Sequence, residues 1–169
     1  MGKGFKIKEE TNNVSKQFEA IEFTKNNSVY VGVQQKDTTR EGDDVTNAEL
    51  LFIHTNGSPA RNIPARPVIE PAIHNDRERL GNMMKKAAEY VLDGEYSEAL
   101  RQLELVGMRG QKVARDWFYN PENHWEPNVP SVIAEKLKKG SDDPKPLIDT
   151  NELHKSITYF VKKGGSKIK

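Results

Sequence analysis

The sequence predicts an α+β fold: a small antiparallel sheet covered by one long helix and a second, interrupted helix. Three patterns lead there. Apolar residues alternate between Phe18 and Gln35, they recur at helical spacing from Ile69 to Phe118, and a β-branched and aromatic run closes the chain at Ser156–Val161.

The alternating stretch carries Phe18, Ala20 and Phe23 before Asn26-Asn27-Ser28 and Val29, Val31 and Val33 after it. Asparagines tolerate left-handed backbone angles, so the stretch reads as a β-hairpin over 18–35. Residues 36–44 form a polar loop with Gly42. Asn47 can cap the segment that follows, Ala48–His54, whose four consecutive apolar residues suit either a short helix or an extended strand.

Thr55–Pro67 holds Pro59, Pro64 and Pro67, and proline fixes its own backbone while restricting the residue before it, so this stretch is an irregular loop. Ile69, Ile73, Leu80, Met83, Met84, Ala87, Ala88 and Val91 then define the longest helix, which ends at Asp93-Gly94. A second helix opens near Ser97 and continues to Phe118. Gly107 and Gly110 lie inside it, each costing up to ~1 kcal/mol relative to alanine, so a bend, a break or a close helix crossing is expected there.

Asn120–Pro130 packs three prolines around Trp125 and reads as an extended loop. Ser131 can cap a short helix that stops at Lys139-Gly140, and Ser141–Pro146 is a turn-rich linker. Asp149 or Thr150 can cap a further turn through Leu153, after which the Ser156–Val161 strand returns to pair with the hairpin. Residues 1–16 and the glycine-rich basic tail 163–169 are expected to fray, leaving 17–162 as a single domain around one core.

The 169 residues are 35% apolar and 30% charged, and 26 basic against 25 acidic groups leave a net charge of +1. That supply suits one lean core. The absence of cysteine removes disulfides, thiolate nucleophiles and cysteine-based zinc sites, and suits a reducing cytosol. Glu9, Glu10, Asn12 and Asn13 replace the apolar part of a secretory signal, and no stretch approaches the ~18 apolar residues that span a bilayer. The expectation is a protein without membrane association.

His54, His74, His124 and His154 are far apart, with no pair at helical i+3 or i+4 spacing, so no metal site is expected. Asp43-Asp44 and Asp142-Asp143 sit in polar, turn-like stretches and read as solvated carboxylates. No nucleophile elbow or dinucleotide fingerprint is present, and no cofactor is expected. Lys3, Lys6 and Lys8 at one end and Lys162, Lys163, Lys167 and Lys169 at the other permit loose contact with DNA, although the balanced charge argues against a dedicated DNA-binding domain.

Two motifs go beyond general pattern. Ile63-Pro64-Ala65-Arg66-Pro67-Val68 precedes the long helix, and Pro146-Leu147-Ile148-Asp149-Thr150-Asn151-Glu152-Leu153-His154-Lys155-Ser156-Ile157 runs into the last strand. Together, and with Trp125–Asn128 and Ile133–Lys136 between them, they resemble the tailed-bacteriophage neck and tail-completion family, also called the virion-morphogenesis family. Val68 stands where that family has an aromatic residue, and Asn151 where it has glycine; asparagine is the other residue best able to adopt a left-handed conformation.

The resemblance implies a structural virion protein of the neck that forms a ring with copies of itself. Its partners would be head connector or adaptor proteins on one side and tail tube or terminator proteins on the other. No catalysis and no cofactor follow from it. A conduit-lining DNA-contacting module and, more remotely, a small hydrolytic enzyme that unites His54 or His124 with a buried carboxylate are the alternatives. The residues singled out as structural or interface anchors are Pro64, Arg66, Pro67, Asp149, Thr150, Leu153 and Ser156. Among them, Arg66 presents a planar fork suited to carboxylates or backbone carbonyls.

Overall fold

The computed structural model describes residues 3–34, 45–141, 144–148 and 151–164, with side chains from Val14 onward. Among the described residues, seven α-helices and a two-stranded antiparallel sheet give an α+β fold. No helix among the described residues is long and apolar enough to cross a membrane.

The hairpin expected over 18–35 is not formed, because its first half is helix. Helix α1 runs Lys3–Asn26, starting inside the stretch expected to fray, and strand β1 follows directly at Asn27–Val33. Ala20 and Phe23 are both buried and stand three residues apart, a spacing that fits one helix face, whereas Phe18 is exposed. The asparagines end the helix and do not reverse the chain: buried Asn27 donates through Nδ2 to the Phe23 carbonyl at 2.7 Å.

Strand β2, Ile157–Lys163, pairs with β1 as the sequence suggests for the returning strand. The Gly164 N–H donates to the Asn26 carbonyl at 2.8 Å, and the Tyr30 and Phe160 rings stack at 5.2 Å on one sheet face. Val29, Val31 and Val33 fall on the opposite face, toward the helices.

Helix α2, Asn47–Asn56, settles the ambiguous segment. Its cap is Thr46, not Asn47: Thr46 Oγ1 accepts from the Glu49 N–H at 3.2 Å and Glu49 returns the bond to the Thr46 N–H at 2.9 Å. This reciprocal pair occupies two amides that helix geometry leaves free. The long helix expected from Ile69 to Val91 is in fact broken at Asp76 into α3, Ile69–Asn75, and α4, Arg77–Leu92. The helix expected to be interrupted is continuous: α5 spans Tyr96–Asp116 through both glycines.

Gly110 explains why the glycine remains without a break. A Cβ there would stand 2.7 Å from Val31 Cγ2, so the missing side chain lets strand and helix approach. The tightest approach is to the strand, with Ile73 Cδ1 of α3 at ordinary contact distance, 3.5 Å. Beyond α5, short 3-10 turns at Trp117–Tyr119 and Pro121–Asn123 lead into the proline-rich loop. Helix α6, Pro130–Lys138, starts one residue before the expected cap Ser131, since proline's fixed backbone suits the first helical position. Helix α7, Glu152–Ser156, precedes β2.

The described chain groups into two compact units with separate cores, where composition alone suggests one. The first gathers the chain up to Tyr30, Glu78–Met108 and the chain from Phe160. Its core is Ala20 and Phe23 of α1, Ala87 and Val91 of α4, and Ala99 and Leu103 of α5, with Phe23 stacked on Tyr96 at 5.3 Å. The second comprises Val31–Arg77 and Arg109–Tyr159, around Val68, Ala72, Ala114, Trp117, Phe118, Leu153 and Ile157.

Candidate functional site

The first motif lies in the second unit, on the loop between α2 and α3. Ser58 and Ile63 form an isolated antiparallel bridge, and Asn62 turns the chain in a left-handed conformation with φ 52°. Gly57, φ 72°, sits where a Cβ would meet the Ala65 nitrogen at 2.9 Å, so the loop closes on its own base. The Arg66 N–H donates to the His54 carbonyl at the end of α2. These local constraints leave Pro64 half-buried and turn Arg66 inward, where it is 7% exposed.

A guanidinium placed there needs partners, since burial disfavours its charged form and pulls its pKa below the ordinary value. It finds backbone carbonyls. Nε and Nη2 both donate to the Glu126 carbonyl, at 3.1 and 2.8 Å, and Nη2 also reaches the Pro127 carbonyl at 3.4 Å. Pro67 contributes its own carbonyl, which accepts from Trp125 Nε1 at 3.1 Å, and the Trp125 ring meets Phe118 edge-on at 5.7 Å. Arg66 and Pro67 therefore pin the proline-rich loop to the core. Val68 is fully buried in that core.

In the second motif, Asp149 and Thr150 lie outside the described residues. Asn151 precedes α7 with φ 61°, the left-handed conformation that asparagine tolerates. Leu153 is buried in the core, and Ser156 Oγ donates to the Leu153 carbonyl at 2.8 Å where helix gives way to strand. Two residues the motif reading missed secure this junction. Arg115 donates to the carbonyls of Ile157 at 3.0 Å and Lys155 at 2.8 Å, and Gln111 Nε2 reaches the Ile157 carbonyl at 3.3 Å.

The two motifs meet. Pro64 and Arg66 from the first and Asn151 and Leu153 from the second line one cavity of about 1110 Å³, with Leu50 and His54 of α2 on another wall. Lys136 of α6, also on the lining, donates to the carbonyls of Lys145 at 2.9 Å and of Ile148, and Asn128 Nδ2 reaches the Pro144 carbonyl at 2.8 Å. Side-chain donors thus hold two proline-rich segments through main-chain oxygens, which leaves these donors committed to the fold.

His54 is the chemically distinctive group of the cavity. Its Nδ1 is buried without a hydrogen-bond partner, and burial, with the nearby Arg66 charge, lowers its pKa to about 4. The imidazole is uncharged at neutral pH. Glu126 and Glu152 line the same cavity but are exposed, so His54 is not joined there to the buried carboxylate that a hydrolytic pair would need. His124 is exposed, and His154 packs against the edges of Phe118 and Tyr119 at 5.3 and 5.7 Å, with burial lowering its pKa.

Among the described residues no cluster of histidine and carboxylate side chains could hold a metal ion. Asp43-Asp44 and Asp142-Asp143 fall outside the described residues. Comparison of the chain with protein-family models, with curated proteins and with solved structures returns no match.

Proposed function

We propose that this chain is a structural component of the tailed-phage neck, a tail-completion protein that assembles as a ring of identical subunits between head connector and tail and catalyses no reaction. The observation that carries this reading is the convergence of the two ordered motifs. Residues about ninety positions apart in sequence, Pro64 and Arg66 from one motif and Leu153 from the other, line one cavity, as expected if the motifs are one construction and not two coincidences.

The chemistry of that construction supports a mechanical role. Arg66 and Lys136 bind main-chain carbonyls, the histidine is uncharged, and the glutamates on the lining face solvent. Separately, the first unit exposes large apolar side chains: Val14, Phe18 and Ile21 follow one another at i, i+4 and i+7 on the face of α1 opposite its buried residues, at 51, 65 and 62% exposure. Such a stripe suits burial against another subunit, and head-to-tail contacts between identical subunits close into rings when the rotation permits.

Complementation tests the proposal. Heads and tails from particles assembled without the chain should join when purified chain is added, and Phe18→Asp with Ile21→Asp should abolish the joining while the monomer stays folded. Joining that is indifferent to the added chain would refute it.

A further inference from the structure

Strand β1 carries no charged residue and no proline, the devices by which exposed sheet edges ordinarily resist pairing. Its outward backbone groups follow from register. The Gly164-to-Asn26 bond makes even-numbered β1 residues the ones bonded to β2, so Val31 and Val33 turn their N–H and C=O groups to the opposite edge. Among the described residues nothing pairs with that edge.

Alongside Val31 and Gly32 opens an apolar groove of about 790 Å³, walled by Ala48, Leu51 and Phe52 of α2 and by Ile69 and Ile73 of α3, with no residue of β2 on its lining. It therefore lies on the unpaired side of β1. Gly32 adds a second sign: a Cβ there would touch nothing within 4 Å, so its own chain does not require the glycine, while glycine within a strand often marks the approach of another backbone. Glu70, His74 and Arg77 sit at the rim, and the exposed Arg77 spends Nη1 on the His74 carbonyl at 3.2 Å.

We infer that this edge and groove form a docking site for an extended segment of another protein, which adds as a strand along Val31–Val33, sinks alternate apolar side chains between β1 and α2, and sets a carboxylate against Arg77. Each requirement comes from the surface. A free strand edge is matched by an extended backbone, and the trough beside it admits side chains from one face of that strand, every second residue. Arg77 on the lining offers an exposed cation to an acidic group, whereas the exposed Glu70 on the same lining would repel one set beside it. This inference stands apart from the neck assignment.

The test uses the full chain and a positional-scanning set of synthetic heptapeptides, apolar at alternate positions with aspartate at one end. Binding should raise amide hydrogen-exchange protection at Val31 and Val33. Methylating the peptide nitrogens that face β1 should weaken binding about tenfold or more, as should Phe52→Asp and replacement of the peptide aspartate by lysine. Phe52 is 69% exposed, so its variant should keep the parent melting temperature, and the methylated peptides leave the protein untouched. No binding by any peptide at about 1 mM, or binding indifferent to methylation, would overturn the inference. So would concentration-dependent protection of the same amides without peptide and with a doubled mass, which would make a second copy the occupant.

Discussion

The Arg66 guanidinium grips the carbonyl oxygen of Glu126 with two N–H groups, at 3.1 and 2.8 Å, across sixty residues of chain. This contact joins the first motif to the proline-rich loop, and the partner is main chain, so the side-chain identity of residue 126 is not what holds it. Arg66→Ala should destabilise the fold by about 2–3 kcal/mol in urea unfolding, the usual cost of losing charge-assisted hydrogen bonds at a buried site. Glu126→Gln should cost well under that. Equal losses for the two would contradict the main-chain clamp.

Glycine positions separate steric need from tolerance. Gly110→Ala places a methyl 2.7 Å from Val31 Cγ2 and should cost about 1–3 kcal/mol, with much of the loss recovered by adding Val31→Ala. Gly81, in α4, has nothing within 4 Å of an added Cβ, and Gly81→Ala should stabilise by about 0.5–1 kcal/mol. A thermal-melt series on the three variants checks both signs.

At the entry to α7, Asn151 holds φ at 61°. Asn151→Gly should be neutral or slightly stabilising, whereas Asn151→Ala should cost about 1 kcal/mol, because a Cβ without a compensating polar group resists the left-handed region. Chemical denaturation of the pair gives the difference directly.

His54 sets a pH dependence with a definite sign. Its folded pKa, about 4, lies below the ordinary 6.5, so the unfolded chain takes up the proton first as pH falls. The stability tied to the neutral imidazole is fully present above pH 6.5, declines between 6.5 and about 4, and has no further dependence below that. His154 shifts in the same direction. Unfolding free energies measured across this range should fall less steeply for His54→Gln than for the parent; parallel curves would show that His54 does not carry the effect.

Much of the helical layout is legible in the sequence because burial repeats with the helical period: Ala87 and Val91, and Ala99 and Leu103, declare their faces. Phe18 and Ala20 fit alternation while Ala20 and Phe23 fit one helix face, and the burial of Ala20 with Phe23 decides for the helix. At the break, Asp76 also holds a distant partner that the sequence does not announce: Arg109, thirty-three residues on, reaches Asp76 Oδ2 through Nε at 2.8 Å, a bond that raises the Arg109 pKa. Gly110 displays a helix penalty in sequence while its reason, Val31, belongs to a distant strand.

The candidate site divides the same way. Pro64, Arg66, Leu153 and Ser156 stand out as motif residues, whereas the carbonyls that Arg66, Lys136 and Arg115 occupy belong to backbone and leave no trace in residue identity. Their shared cavity is a property of the fold and not of either motif.

Electron microscopy of particles assembled without this chain tests the neck assignment most directly. The assignment predicts DNA-filled heads and complete tails lying apart, with joined, infectious particles restored when the chain is supplied. Joined and infectious particles in its absence would contradict it.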